Sequence, residues 1–242
     1  MIKRYFLLFF ILMVAVSCGT TSRGKSYTIA IDPSWFPLDL QGKEPNIYAF
    51  SSELLRAISH KEGVFFEKIR MDWDNLALGL EKGDYDGMLS SLTPRVFWGK
   101  TYTFSDPFLH TGPVLVIREE EKIRSLDGKE IAVDSFANEA ILIEKFPGVI
   151  IQYYTVIPEG LDEVLSGQLD GVLINYLQAT SYIRDLYHGQ VKIAMPPLDD
   201  AGLRLITLDG GNTELVEIFN RGLDKLKDDG TLDKLLAKWE LN

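Results

Sequence analysis

Leu80-Glu81-Lys82-Gly83-Asp84-Tyr85-Asp86-Gly87-Met88-Leu89 and Val164-Leu165-Ser166-Gly167-Gln168-Leu169-Asp170-Gly171-Val172-Leu173 are two copies of one local pattern. Each reads as an apolar helix end, a Gly stop, an apolar-Asp-Gly step and an apolar strand. A second pair supports the first: Ile29-Ala30-Ile31-Asp32 and Ile131-Ala132-Val133-Asp134 are both buried-type strands ending in Asp. One Gly-x-x-Asp-Gly step at a helix–strand junction would carry little weight. Two copies, with paired strands in the same order, mark a pseudo-repeat: two α/β lobes of one design. Ligands of open α/β sheets bind beyond the carboxyl ends of the strands. Two such lobes facing each other enclose a cleft.

Outward from the repeat, helices alternate with short apolar strands, which sets the class as α/β with mainly parallel pairing. Strands are expected at 27–31, 64–69, 87–92, 113–118, 130–133, 149–154, 171–174 and 202–207. Helices are expected at 50–60, 75–82, 138–145, 158–166, from 175 through Tyr187, at 214–227 and at 231–239. Ser51 or Ser52 is the expected cap of the first helix. Apolar residues make up 46% of the chain, enough for two cores. No low-complexity segment or Pro/Gly-rich linker separates the halves, so the chain is expected to cross between them in strands.

The N-terminus reads as an export signal. Lys3 and Arg4 precede an apolar run from Tyr5 to Ala15, and small residues lead into Cys18. Cys18 is the only cysteine, which excludes an intramolecular disulfide. Ala15-Val16-Ser17-Cys18 resembles the bacterial lipobox, with Ala15 where such motifs usually carry Leu. That resemblance implies lipidation of Cys18, residues 1–17 as a signal peptide and 18–25 as a small, polar tether. Net charge is −10, and loss of Lys3 and Arg4 makes the remainder more acidic still. With no basic cluster, nucleic-acid binding is excluded, and a weak general preference for cationic solutes follows.

Four further stretches carry a resemblance across about Tyr27–Trp239. They are Asp86-Gly-Met-Leu-Ser-Ser-Leu-Thr93, Phe104-Ser-Asp-Pro-Phe108, Ser125-Leu-Asp-Gly-Lys129, and Leu226-Lys-Asp-Asp-Gly-Thr-Leu-Asp-Lys-Leu-Leu-Ala-Lys-Trp239. In this order they resemble the bacterial extracellular solute-binding proteins of family 3, the polar amino-acid-binding partners of ABC importers, of glutamine- or arginine-binding type. The resemblance implies a two-lobed periplasmic-binding-protein-like type II fold with two crossing hinge strands. Lobe 1 would hold 26–110 plus 204–242, and lobe 2 would hold 113–200. The crossings would lie near Leu109–Pro113 and Asp200–Arg204. Closure over a ligand would be a hinge motion.

The same resemblance implies a ligand set. Asp32 ends the first strand and stands as a contact to a polar or cationic group, with a capping Asp as the alternative. Trp35 and Trp73 match family aromatics that flank the ligand side chain. Ser90, Ser91 and Thr93 match a hydroxyl-rich segment. The family's carboxylate-binding Arg falls at Trp98, and Arg95, three residues earlier, is the available substitute. The family's Gly-Thr-Thr loop is Phe136-Ala137-Asn138 here, where Asn138 heads a helix whose amides still suit an anion. Its ammonium-pairing Asp falls at Asn175.

His60, His110 and His188 show no metal-ligand spacing, and neither a metal nor a cofactor is expected. The expected function is therefore a non-enzymatic, monomeric, lipid-anchored binding protein of the periplasm or cell surface. It would deliver a polar amino acid or related small solute to an ABC permease. Two alternatives stand. One is a cyclic acid dehydratase on the same fold, with Asp134 or Glu139 as the cleft acid. The other is a surface lipoprotein that no longer binds a solute.

Overall fold

A computed structural model describes residues 24–38, 40, 42–94 and 100–242. The signal segment, Cys18 and the tether up to residue 23 lie outside these residues. Along the chain run β1 (Ser26–Ile31), α1 (Glu44–Glu62), β2 (Phe65–Arg70), α2 (Trp73–Lys82), β3 (Gly87–Ser90), β4 (Tyr102–Phe104), β5 (Leu109–His110), β6 (Pro113–Arg118) and β7 (Glu130–Val133). They are followed by α3 (Phe136–Lys145), β8 (Ile150–Tyr153), α4 (Ile157–Ser166), β9 (Gly171–Asn175), α5 (Tyr176–Asp185), β10 (Val191–Ile193), β11 (Gly202–Leu208), α6 (Thr213–Asp228) and α7 (Thr231–Lys238).

The repeated Gly-x-x-Asp-Gly step has one geometric job in both halves. Gly83 and Gly167 end their helices in the left-handed conformation, at φ 76° and 80°. The following Asp then clips the new strand to its parallel neighbour. Asp86 Oδ2 accepts the Thr28 amide at 2.8 Å while the Asp86 amide donates to Thr28 O at 2.9 Å. Asp170 Oδ2 accepts the Glu130 amide at 2.9 Å while the Asp170 amide donates to Glu130 O at 2.9 Å. Gly87 and Gly171 then pass close to an antiparallel strand. A Cβ on Gly171 would stand 2.9 Å from Leu115 Cδ1 and 3.1 Å from Val116 O. The motif thus fixes the register of the strand it introduces.

Two mixed sheets result. One has the order β2-β1-β3-β11-β4, with β5 pairing β11, and the other has the order β10-β6-β9-β7-β8. Parallel pairing is confined to β2-β1-β3 and β8-β7-β9. All pairs involving β11 or β6 are antiparallel. The expectation of mainly parallel pairing is corrected here. A buried antiparallel strand such as Pro113–Arg118 is as uniformly apolar as a parallel one, so its sequence does not reveal its direction.

Register also says where the strand ends point. Arg204, near the start of β11, pairs with Ser90, the last residue of β3. Pro113, the start of β6, pairs with Asn175, the last residue of β9. Both β11 and β6 begin where the chain passes between sheets. There Leu109–His110 pair with Gly202–Leu203, and the Thr111 amide bonds Ala201 O at 3.0 Å. The carboxyl ends of the parallel strands in both sheets are therefore turned toward the crossing. That is the edge at which a ligand cleft of this class forms.

The quoted motifs acquire physical roles. In Phe104-Ser-Asp-Pro-Phe108, Ser105 bonds Leu205 through its amide and its hydroxyl, at 2.8 and 2.9 Å. Phe108 then drops into the core against Phe50 and Phe219, both with ring centroids at 6.1 Å. In the tail, Gly230 takes φ 71° before α7, and Trp239 packs on the same core as α1 and α6. Tyr176 packs against the cores of both sheets.

One helix start is corrected. α1 begins at Glu44, with Pro45 in its first turn, and not at Ser51 or Ser52. Ser51 and Ser52 are interior and donate back to Ile47 O and Tyr48 O, both at 2.8 Å. The expected tether is also tied at its end, since Lys25 O accepts the Phe65 amide at 2.9 Å.

The clip yields a stability prediction. Burial alone would push the Asp170 carboxyl up, but the Lys129 ammonium at 2.8 Å and the Glu130 amide outweigh it and hold it below the ordinary value. A depressed carboxylate contributes stability above its unfolded pKa of about 3.9, and that contribution is lost as pH falls through the folded value. Asp170→Ala should cost about 1–3 kcal/mol near neutral pH. Urea unfolding should show the gap to wild type narrowing below about pH 4. A gap that persists undiminished to pH 2 would mean that the carboxylate's charge is not the cause.

Candidate functional site

The candidate site is the set of strand ends around the crossing. From the first sheet come the segments after β1, β2 and β3. From the second come those after β7, β8 and β9.

Asp32 follows β1 and is 4% exposed. Its carboxylate is engaged locally: Oδ1 accepts the Ser34 amide at 2.9 Å, and the Ser34 hydroxyl lies 2.8 and 2.7 Å from Oδ1 and Oδ2. This is the turn-capping arrangement of an Asp, with Trp35 held back by a bond from its amide to Asp32 O at 3.2 Å. Trp35 takes φ 55°, and its ring is 2% exposed, inside the cluster with Leu40, Ile47 and Phe50. Trp35, expected as a ligand contact, is thus packed in the core of the first sheet. The exposed ring is its neighbour Phe36, at 54%.

Trp73 opens α2, held in place by the Asp72 cap, whose Oδ1 accepts the Asn75 amide at 3.1 Å. Its ring meets Phe36 edge-on, with centroids 5.4 Å apart and planes at 60°. Trp73 also borders a cavity of about 270 Å³ whose walls include Leu76, Met88, Ser90, Leu92 and Tyr102. Ser90 is buried, and its hydroxyl accepts the Leu92 amide at 3.2 Å. Ser91 is half-buried and donates to Phe36 O at 3.4 Å, and Thr93 is half-buried beyond it. Arg95 and Trp98 lie outside the described residues.

Across the crossing, Asn138 is 8% exposed and faces inward: its Nδ2 donates to Asp134 Oδ1 at 2.7 Å. Its amide bonds the Ser135 hydroxyl, so α3 is capped from within at 3.4 Å. Asn175 is exposed at the end of β9, where it opens α5 without a side-chain cap. Phe136 is 82% exposed and pairs edge-on with Tyr153, itself 52% exposed, with centroids 5.9 Å apart. The Tyr153 hydroxyl donates to Glu139 Oε2, and that carboxylate holds the phenol above its usual pKa.

The structure therefore gathers Asp32, Trp73, Ser90, Ser91 and Thr93 at one sheet edge and Asn138 and Asn175 at the other. It adds Phe36, Phe136 and Tyr153 as exposed rings. Phe36 and Tyr153 were not among the residues selected from sequence. Tyr153 was legible only through the repeat, since β8 stands to β7 as β2 stands to β1. Among the described residues, no group of three or more His, Cys, Asp or Glu is placed to hold a metal ion. No described helix is long and apolar enough to cross a membrane.

The model of the bacterial extracellular solute-binding proteins, family 3, matches residues 27–242. Among curated relatives, the arginine-binding extracellular protein ArtP of Bacillus subtilis is 26% identical, over 92% of this chain and 91% of its own. Among solved structures, the L-cystine solute receptor of Neisseria gonorrhoeae in its unliganded open conformation aligns with a TM-score of 0.65 at 24% identity, over 90% of this chain and 93% of that one. An ancestral cyclohexadienyl dehydratase aligns with the same score of 0.65 at 22% identity, over 89% and 92%. At these identities the two structures speak to the fold: a two-lobed type II periplasmic-binding-protein architecture.

Proposed function

Since this chain belongs to the bacterial extracellular solute-binding proteins of family 3, we propose that it is a lipid-anchored receptor that hands a polar amino acid or related small solute to an ABC importer. A solute-binding role follows from the family. The ligand, the anchor and the permease are the proposal. The observation that carries it is the register at the crossing, which turns the carboxyl ends of β1, β3, β7 and β9 to one side. Trp73, Phe36 and the Ser90–Thr93 hydroxyls stand there as one wall of a cleft. Arginine- and glutamine-like solutes head the list, consistent with the acidic chain and with a curated relative named for arginine binding. Cys18 is proposed as the lipidated residue and the monomer as the working unit.

The dehydratase alternative draws on Asp134 and Glu139 at the strand ends. Both carboxylates already accept hydrogen bonds, from Asn138 and Ser135 and from Tyr153 respectively. Binding is favoured over catalysis by the family match and by curated relatives named for amino-acid binding.

Thermal shift of ligand-free protein against amino acids and small organic acids tests the reading. A ligand at one hundred times its dissociation constant adds about 2.7 kcal/mol of stability. A clear rise with one chemical class is expected. A flat response across the panel would favour a surface lipoprotein without a solute. Mass spectrometry of membrane-extracted protein should show an acylated Cys18, and a water-soluble chain beginning elsewhere would end the anchor proposal.

A further inference from the structure

Large exposed aromatics are uncommon on a soluble surface, and clusters of them mark binding sites. Among the described residues Phe36, Phe65, Phe136 and Tyr153 are exposed, and all of these but Phe65 join, with the half-buried Trp73, in two matched pairs. Phe36 and Trp73 follow β1 and β2, while Phe136 and Tyr153 sit at the ends of β7 and β8, the equivalent strands of the second sheet. Each pair is edge-to-face, so one ring face is taken by its partner's edge, while the exposure of Phe36, Phe136 and Tyr153 leaves ring surface open on both pairs.

The charge at these strand ends is negative. Asp134 is exposed after β7, Glu139 lies in the first turn of α3, and Asp72 and Asp74 flank Trp73. Among the described residues at these ends, the guanidinium of Arg70 is turned away. It stacks 4.9 Å over the Tyr48 ring and donates to the Tyr48 hydroxyl at 3.2 Å. The start of α3, which would otherwise suit an anion, already has the Ser135 hydroxyl on it and two carboxylates beside it. A ligand carboxylate placed there would meet like charge. A cation placed there meets ring faces and counter-charges together, which is the arrangement that attracts one.

We infer that the cleft takes an organic cation between two aromatic walls, Phe36/Trp73 on one lobe and Phe136/Tyr153 on the other, with Asp134 and Glu139 as counter-charges and no seat for a ligand carboxylate on the second lobe. This rests on the proposed solute-binding reading and narrows it: an amine or guanidinium lacking a carboxylate binds at least as well as the corresponding amino acid. Phe136 reaches the ligand only from the second lobe, so its contribution appears on closure.

Calorimetry on ligand-free full-length protein decides it, with arginine against agmatine and phenylalanine against phenethylamine. The decarboxylated member of a pair should bind with equal or higher affinity. Phe136→Ala and Asp134→Asn should each weaken it roughly threefold to thirtyfold, the range of a lost cation–ring or charge contact. Phe136 is 82% exposed, so its truncation leaves the core intact, and matched unfolding curves will check this. If the amino acids bind and their decarboxylated partners do not, the receptor reading stands and the cation inference falls. It falls equally if both variants bind like wild type. If none of the four probes binds, the cation inference falls, and the wider thermal-shift panel then decides separately whether the receptor reading goes with it.

Discussion

Replacing Trp35 by alanine is expected to lower the unfolding free energy by about 3–5 kcal/mol, the range for truncating a buried Trp or Phe. The melting temperature should fall by on the order of 10 °C for a chain of this size. The reason is placement. The ring is 2% exposed in the same cluster as Ile47, Phe50, Leu54 and Phe219. Its backbone sits at φ 55°, a conformation that costs a non-glycine residue roughly 1–3 kcal/mol and persists only where packing enforces it. Alanine keeps that cost and loses the packing. Trp35→Phe should lie much closer to wild type, because it keeps most of the volume and removes an indole N–H that is buried without a partner among the described residues. If instead Trp35→Ala unfolds like wild type and loses ligand affinity, the indole belongs to the cleft as the sequence first suggested.

That pair of outcomes shows where sequence reading stops. Asp-Pro-Ser-Trp-Phe-Pro places two aromatics side by side on a loop beyond a strand, and nothing in their chemistry says which turns inward. The choice is made by one backbone dihedral at Trp35 and by the space between α1 and β1. The repeat, by contrast, was legible because its residues act locally: Gly83 and Gly167 stop helices, and Asp86 and Asp170 bond the neighbouring strand within a few residues of the turn.

Strands β4, β5 and β10 escaped notice because two or three residues show no periodicity. The antiparallel direction of β6 and β11 escaped because burial on both faces erases alternation. Phe136 was visible only as the residue where a glycine would be expected, and its pairing with Tyr153 joins positions on separate elements. Ser51 and Ser52 read as caps because a hydroxyl at the start of an apolar stripe usually is one. Here the helix had begun about two turns earlier, at Glu44.

Arg204→Met should cost about 2–4 kcal/mol and loosen the crossing. Arg204 lies within Gly202-Leu-Arg-Leu-Ile-Thr-Leu208, a run that otherwise reads as a plain buried strand, and it is 3% exposed. Its Nη1 donates to Ser105 O at 2.8 Å and its Nη2 to Asp200 O at 2.7 Å. Ser105 precedes the first passage between sheets and Asp200 begins the second, so one guanidinium fork ties both. Replacing a buried charge by a packed apolar residue can be neutral when its partner goes too. Here the partners are backbone carbonyls that remain, each left short of a donor. The Asp200 carboxylate, 2.5 Å from Nη2, is largely exposed and adds little. Arg204→Lys keeps the charge but lacks the two-pronged fork, so it should recover only part of the loss. Denaturant unfolding gives the energy, and amide exchange gives the place. Thr111, whose N–H bonds Ala201 O across the two passages, should exchange faster in Arg204→Met while Phe50 and Leu54 in the core of α1 do not beyond the global change. Wild-type stability together with unchanged exchange at Thr111 would mean that the crossing is held by its strand pairing alone.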